Sequence, residues 1–234
     1  MKKFASLVIA VMFFPTIAAI AQEKVETTVS ADIVSQYIWR GQDLGNVSLQ
    51  PTLGVAYKNL SLTAWGNVGV SEPSDTKEID LTLDYTLRNF NVGVTDYWTN
   101  EGADPRNRYF KYEAHGTNHV FEVNVGYDFG IASVQWYTNF AGNDGLNGND
   151  KRAYSSYAEM SVPFHLWDVE WSASVGVVPY ATDYYDSSGF AVTNISVMAQ
   201  KDITITEKFS LPVFASFIAN PHDQKAYLVF GITL

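Results

Sequence analysis

The run Glu78-Ile79-Asp80-Leu81-Thr82-Leu83-Asp84-Tyr85-Thr86-Leu87-Arg88 alternates polar and apolar residues without a break. Successive side chains of an extended strand point to opposite faces. The segment therefore has a greasy side (Ile79, Leu81, Leu83, Tyr85, Leu87) and a wet side that carries Glu78, Asp80, Asp84 and Arg88. A helical period of 3.6 would scatter both sets around the axis. This stretch is a strand with one face in an apolar medium.

The same period recurs in both directions from that stretch. In 25–40, Val25, Val29, Ala31, Ile33, Tyr37 and Trp39 oppose Glu26, Thr28, Ser30, Asp32, Gln36 and Arg40. Twelve such segments are predicted: 25–40, 48–58, 60–70, 77–88, 90–99, 118–129, 131–140, 153–162, 168–180, 190–200, 209–219 and 225–234. Each is about the 9–11 residues with which a tilted strand crosses a bilayer, or slightly longer. The connections sort by parity. Asn59, Asn89, Gly130, 163–167 and 201–208 are mostly tight, whereas 41–47, 71–76, 100–117, 141–152, 181–189 and 220–224 are longer. A soluble sandwich has no reason to sort its loops in this way. A transmembrane barrel does, with short periplasmic turns and longer extracellular loops. At the end of the chain Leu228, Phe230, Ile232 and Leu234 alternate to the last residue, as in a final strand read by the barrel-assembly machinery. The fold class expected is all-β: an antiparallel transmembrane β-barrel of 12 strands.

The N-terminus fits export. Met1, Lys2 and Lys3 precede an apolar run from Phe4 to Ile20, closed by Ala19-Ile20-Ala21. Basic start, apolar middle and small-x-small cleavage pattern make a signal peptide over residues 1–21 and a barrel domain over 22–234. The chain carries a net charge of −10, and losing Lys2 and Lys3 takes it to about −12. So acidic a surface repels phosphate, which argues against nucleic-acid partners. There is no cysteine, which excludes disulfides, a cysteine-linked lipid anchor and thiolate metal sites. No cofactor is implied. After residue 21 no stretch approaches the roughly 20 apolar residues of a membrane helix. Mean hydropathy is near zero although aromatic residues are plentiful. A barrel that is apolar outside and polar inside averages to that value.

Ser30-Ala31-Asp32-Ile33-Val34-Ser35-Gln36-Tyr37-Ile38-Trp39-Arg40-Gly41 is followed by a short polar loop, Gln50-Pro51 and Ala64-Trp65-Gly66-Asn67. This pattern resembles the TorF-type porin family of exported bacterial proteins, over roughly residues 28–70. The resemblance implies an outer-membrane barrel of a Gram-negative bacterium whose substrate is largely undefined. The remainder of the chain agrees in length and strand rhythm rather than in motif.

The wet parity nominates lumen-lining residues: Asp32, Arg40, Glu78, Asp80, Asp84, Arg88, Glu122, Asp128 and Glu170. Carboxylates around a water-filled pore favour cations, so one expectation is a small passive channel for cations or small polar solutes. The other is a closed lumen, in which Arg40 or Arg88 pairs with Asp32, Asp84 or Glu122 and the barrel serves as a scaffold or accessory subunit. Arg40 itself could select a passing anion or tie the first loop to an acidic neighbour. Outer-membrane lipid, lipopolysaccharide and the barrel-assembly machinery are the partners expected.

A third reading is a lipid-modifying enzyme with a rim site. His115, Thr117, Asn118 and His119 cluster late in the longest loop, and Ser155 and Ser156 open a strand. No Gly-x-Ser-x-Gly elbow accompanies them, which argues against an enzyme. His115 and His119, four apart in a loop, lack a third metal ligand. Residues 142–150 are rich in Asn, Asp and Gly, which is turn chemistry before it is a calcium loop.

Overall fold

The computed structural model describes residues 24–72, 75–100, 106–114 and 116–234; the signal peptide expected over residues 1–21 and His115 lie outside these residues. Fourteen strands are formed: β1 Glu26–Val34, β2 Tyr37–Trp39, β3 Gln42–Gly45, β4 Ser48–Tyr57, β5 Leu60–Gly69, β6 Lys77–Leu87, β7 Phe90–Thr99, β8 His119–Asp128, β9 Ser133–Gly142, β10 Ser156–Leu166, β11 Val169–Val178, β12 Ala191–Thr206, β13 Phe209–Asn220 and β14 Lys225–Thr233. Twelve of them, all except β2 and β3, pair antiparallel with their neighbours into one closed barrel. Closure removes every sheet edge, which a lipid-facing sheet requires because lipid offers no hydrogen-bond partners.

The seam joins β1 to β14 through Asp32–Thr233, Ile33–Ile232 and Val34–Gly231. Reciprocal backbone bonds between Ala31 and Leu234, at 3.1 and 2.9 Å, extend it by one pair. β1 pairs with β4 on its other side through Glu26–Ala56. The seam is the shortest ladder of the barrel.

The barrel is inside out relative to a soluble protein. Val29 is 80% exposed, and Leu53, Leu62, Leu83, Phe217, Leu228 and Phe230 stand in the same outward belt. Gln50, Thr52, Asn67, Asn91, Thr95, Glu122, Asn124, Gln135, Gln200 and Ser216 are buried on the other parity. The lining hydrogen-bonds to itself: Gln50 Nε2 donates to Asn67 Oδ1 at 3.0 Å. It does so beside Pro51, where the β4–β5 ladder skips from Leu49–Val68 to Thr52–Trp65 because proline has no N–H.

Loop parity holds. The tight rim turns at Lys58-Asn59, Arg88-Asn89, 129–132, Trp167-Asp168 and Glu207-Lys208, and every longer connection lies on the other rim. Lys58, Arg88, Trp167 and Asp168 take positive φ, as the twist of short hairpins demands. The two least tight connections expected on this rim, 163–167 and 201–208, are instead mostly strand. β10 runs to Leu166 and β12 to Thr206, each continuing on one neighbour only. Pro163 is tolerated there because β10 has already run past its last β9 pair, Ser161–Ser133.

The predicted first strand, 25–40, is the main correction. The wall strand stops at Val34. The chain bends at Ser35 and Gln36, and β2 and β3 form a separate hairpin. Alternation continued past Val34 because the hairpin is itself extended chain, so period alone could not mark the break.

Candidate functional site

The hairpin lies inside the barrel. Tyr37 donates to Glu78 Oε2 on β6 at 2.9 Å, and its ring tilts against Trp65 of β5 at 5.6 Å. At the tip, Arg40 and Gly41 take φ of 52° and 83°. Gly41 abuts β12 so closely that a Cβ would lie 1.8 Å from the Thr193 carbonyl oxygen. Asn220 Nδ2 of β13 donates to the Gly41 carbonyl at 3.1 Å. Only from inside can one short segment touch β5, β6, β12 and β13 together.

Arg40 ends this insertion. Nη1 and Nη2 donate to the two carboxylate oxygens of Glu122 on β8, at 2.6 and 2.8 Å. Nη1 also donates to Tyr185 Oη at 2.6 Å, from the turn Asp183–Tyr185 in the β11–β12 connection. Tyr97 Oη of β7 donates to Glu122 Oε1 at 2.8 Å. The guanidinium carbon lies 4.3 Å from the Trp39 ring centre, 4.1 Å from Tyr137 and 4.8 Å from Tyr157. Both charged side chains are nearly inaccessible, 8% exposed for Arg40 and 2% for Glu122. A pair so far out of water survives because every polar edge is matched: two parallel N–H bonds, two phenols and flanking aromatic faces.

Other sequence-nominated residues occupy several settings. Glu78, Asp80 and Asp84 follow one another along the inward face of β6, opposite Thr99, Tyr97 and Gly93 of β7. Asp80 is buried, and its Oδ1 has no hydrogen-bond partner among the described residues. Asp84 accepts from Asn124 Nδ2 at 3.4 Å. Asp32 accepts from Thr233 Oγ1 at 2.6 Å and so staples the seam. Glu170 lies at the tight-turn end, exposed, 3.6 Å from His165. Two residues leave the lining. Arg88 is exposed in the β6–β7 turn, because the strand ends at Leu87. Asp128 caps the β8–β9 turn by accepting from the Gly130 N–H at 2.7 Å. Sequence reading missed the aromatic residues Tyr97, Tyr137, Tyr157 and Tyr185, whose parity and loop position look like ordinary wall or girdle.

Among the described residues, those of the rim weighed for catalysis are not assembled. His119 is fully buried on the outward side of β8, with Nδ1 2.7 Å from Asp96 Oδ1 and Nε2 2.6 Å from the Tyr109 carbonyl. Neither nitrogen is free to act as a base. Ser155 and Ser156 are also fully buried, and their hydroxyls bond Thr182, Thr138 and Tyr180. Asp144, in the Asn/Asp/Gly-rich stretch, accepts from the Ser155 N–H, and Asn147 Oδ1 accepts from the N–H groups of Asn149 and Lys151. These are turn bonds.

Fold and site together define a closed twelve-strand antiparallel transmembrane β-barrel with a loop hairpin folded into a polar lumen. No family model and no curated protein matches the chain, so the TorF-type resemblance stands on residues 28–70 alone. Among solved structures the chain is similar to the NanC porin in a rhombohedral crystal form, at 8% identity and a TM-score of 0.46, covering 88% of this chain and 98% of that one. It is also similar to an outer membrane channel from Pseudomonas putida F1, at 11% identity and a TM-score of 0.39, covering 93% and 98%. Likeness at this level carries no argument about solute or mechanism.

Proposed function

We propose that the chain is an outer-membrane barrel, tight turns in the periplasm and long loops outside, acting as a small passive channel for cations or small polar solutes. The observation that carries this reading is the acid surplus of the lining. Asp32, Glu78, Asp80, Asp84, Glu122 and Glu159 face the interior, where Arg40 is an opposing cation. Fixed carboxylates in a low-dielectric tube raise local cation concentration. The hairpin rather than the wall narrows the outer half, so it limits flow. A wall ending in an alternating β14 suits delivery by the barrel-assembly machinery, and the apolar belt suits outer-membrane lipid and lipopolysaccharide.

Single-channel recording of the refolded protein, with a salt gradient for selectivity, tests the reading. Cation-selective steps are expected, larger when residues 37–45 are removed. Silence of both proteins across a wide voltage range would sink it. The buried Arg40–Glu122 pair favours the second reading, a non-conducting barrel that serves as a scaffold or accessory subunit, and the same silence would support that.

A further inference from the structure

We propose that the pocket formed by Glu122, Tyr97, Tyr137, Tyr157 and Tyr185 is a recognition site for guanidinium-bearing solutes, which Arg40 fills as the chain's own ligand. The proposal rests on the cation-channel reading and names a solute class for it.

The pocket is built from wall strands and the Asp183–Tyr185 turn, and of the hairpin Trp39 lies against it, 5.9 Å from the Tyr97 ring and 6.0 Å from that of Tyr185. Glu122 is held by Tyr97 Oη, and Tyr157 Oη is held by Glu159 Oε2 at 2.6 Å. Tyr157 stacks on Tyr185 at 6.1 Å and 28°, and tilts against Tyr137 at 6.1 Å. The Arg40 guanidinium enters this frame from a different segment. Flat rings beside a carboxylate whose two oxygens are presented together match a planar forked cation. An ammonium ion has a single nitrogen and cannot set two parallel N–H donors against the two oxygens. Aromatic boxes of this kind are a recurrent means of binding organic cations.

Arg40-Gly41 is a two-residue hairpin tip with both φ values positive, a conformation that Lys58, Arg88, Trp167 and Asp168 also take in short turns, so it is the contacts of the Arg40 side chain that set it apart. Beside the pocket a polar atom is left unsatisfied: Asp80 Oδ1, on the strand that pairs with Tyr97, is buried without a hydrogen-bond partner among the described residues. A solute that brings its own guanidinium can replace Arg40 with the same bonds, and the hairpin tip would then leave the wall.

The test is cavity complementation. Arg40→Ala, folded in detergent micelles and checked by its heat-dependent gel shift, is titrated with methylguanidinium at constant ionic strength, with methylammonium as the control. Saturable binding, read by tryptophan fluorescence or calorimetry, is expected. It should be at least about tenfold tighter than for methylammonium, the difference that one charged hydrogen bond makes. It should vanish in Arg40→Ala/Glu122→Gln. If Arg40→Ala does not fold alone, Arg40→Lys keeps the charge without the fork, and methylguanidinium should raise its melting temperature more than methylammonium does. Absence of saturable binding in both variants would overturn the proposal, as would binding unaffected by Glu122→Gln or equal affinity for the two cations. The assay reads binding rather than current. A silent wild type that passes it sinks only the channel, and a conducting one that fails it sinks only the site.

Discussion

Arg40 and Glu122, 82 positions apart in the chain, meet in the lumen as a forked ion pair with bonds of 2.6 and 2.8 Å. Breaking one side leaves a buried charge without its partner, which costs about 3–5 kcal/mol. Arg40→Ala and Glu122→Gln should each lower resistance to heat and urea by an amount of that order. The double variant should fall short of their sum, because the second change removes the charge stranded by the first. Unfolding of all four proteins in the same micelles measures the coupling, and additive losses would contradict it.

The seam makes a second prediction. Thr233 Oγ1 donates to Asp32 Oδ1 at 2.6 Å across the shortest ladder of the barrel. Thr233→Val keeps the shape and removes the donor, for about 1–3 kcal/mol. The temperature at which the folded gel band disappears should fall. Deleting Leu234, which removes both backbone bonds to Ala31, should lower it further.

Asp75 couples two outer loops in a pH-dependent way. Its carboxylate accepts from the backbone N–H groups of Glu72, Ser71 and Asn46 and from Asn46 Nδ2. These bonds, led by that from Glu72, hold its pKa below the ordinary 3.8. A depressed folded-state pKa means that the stabilisation is complete above the unfolded value and is lost only as pH falls through the lower one. The Asn46 and Ser71 amide signals should stay fixed down to about pH 4 and move below it. Movement that begins well above pH 5 would contradict this assignment.

His119 fastens the long β7–β8 connection to the outside of the wall, between Asp96 and the Tyr109 carbonyl, with Tyr112 stacked on its ring at 4.2 Å. His119→Leu should speed amide hydrogen exchange over 106–114 while exchange in the β8–β9 ladder stays slow. Unchanged exchange in the loop would show that the clasp is not what holds it.

The alternation around Glu78–Arg88 made the strands legible because a barrel between lipid and water imposes period two on nearly every wall residue. Loop parity added strand number and direction, since one rim has room for turns only. Legibility failed where that force is absent. The arm Tyr37–Trp39 has both faces buried or half-buried, so its polarity marks no side, and Arg88 and Asp128 share the lumen parity yet serve turns, Arg88 from within one and Asp128 from the end of β8. The site was half visible. Arg40 and Glu122 were both nominated and their pairing was one of several offered, but the ring of Tyr97, Tyr137, Tyr157 and Tyr185 was not.

By itself, then, the sequence determined a twelve-strand wall, its inner and outer faces and its short and long rims, because each follows from the local pattern of side chains against lipid or water. The tertiary structure alone decided that residues 37–45 turn inward and that Arg40 ends at Glu122. That contact joins residues far apart in the chain, and closure of the barrel is what brings them face to face.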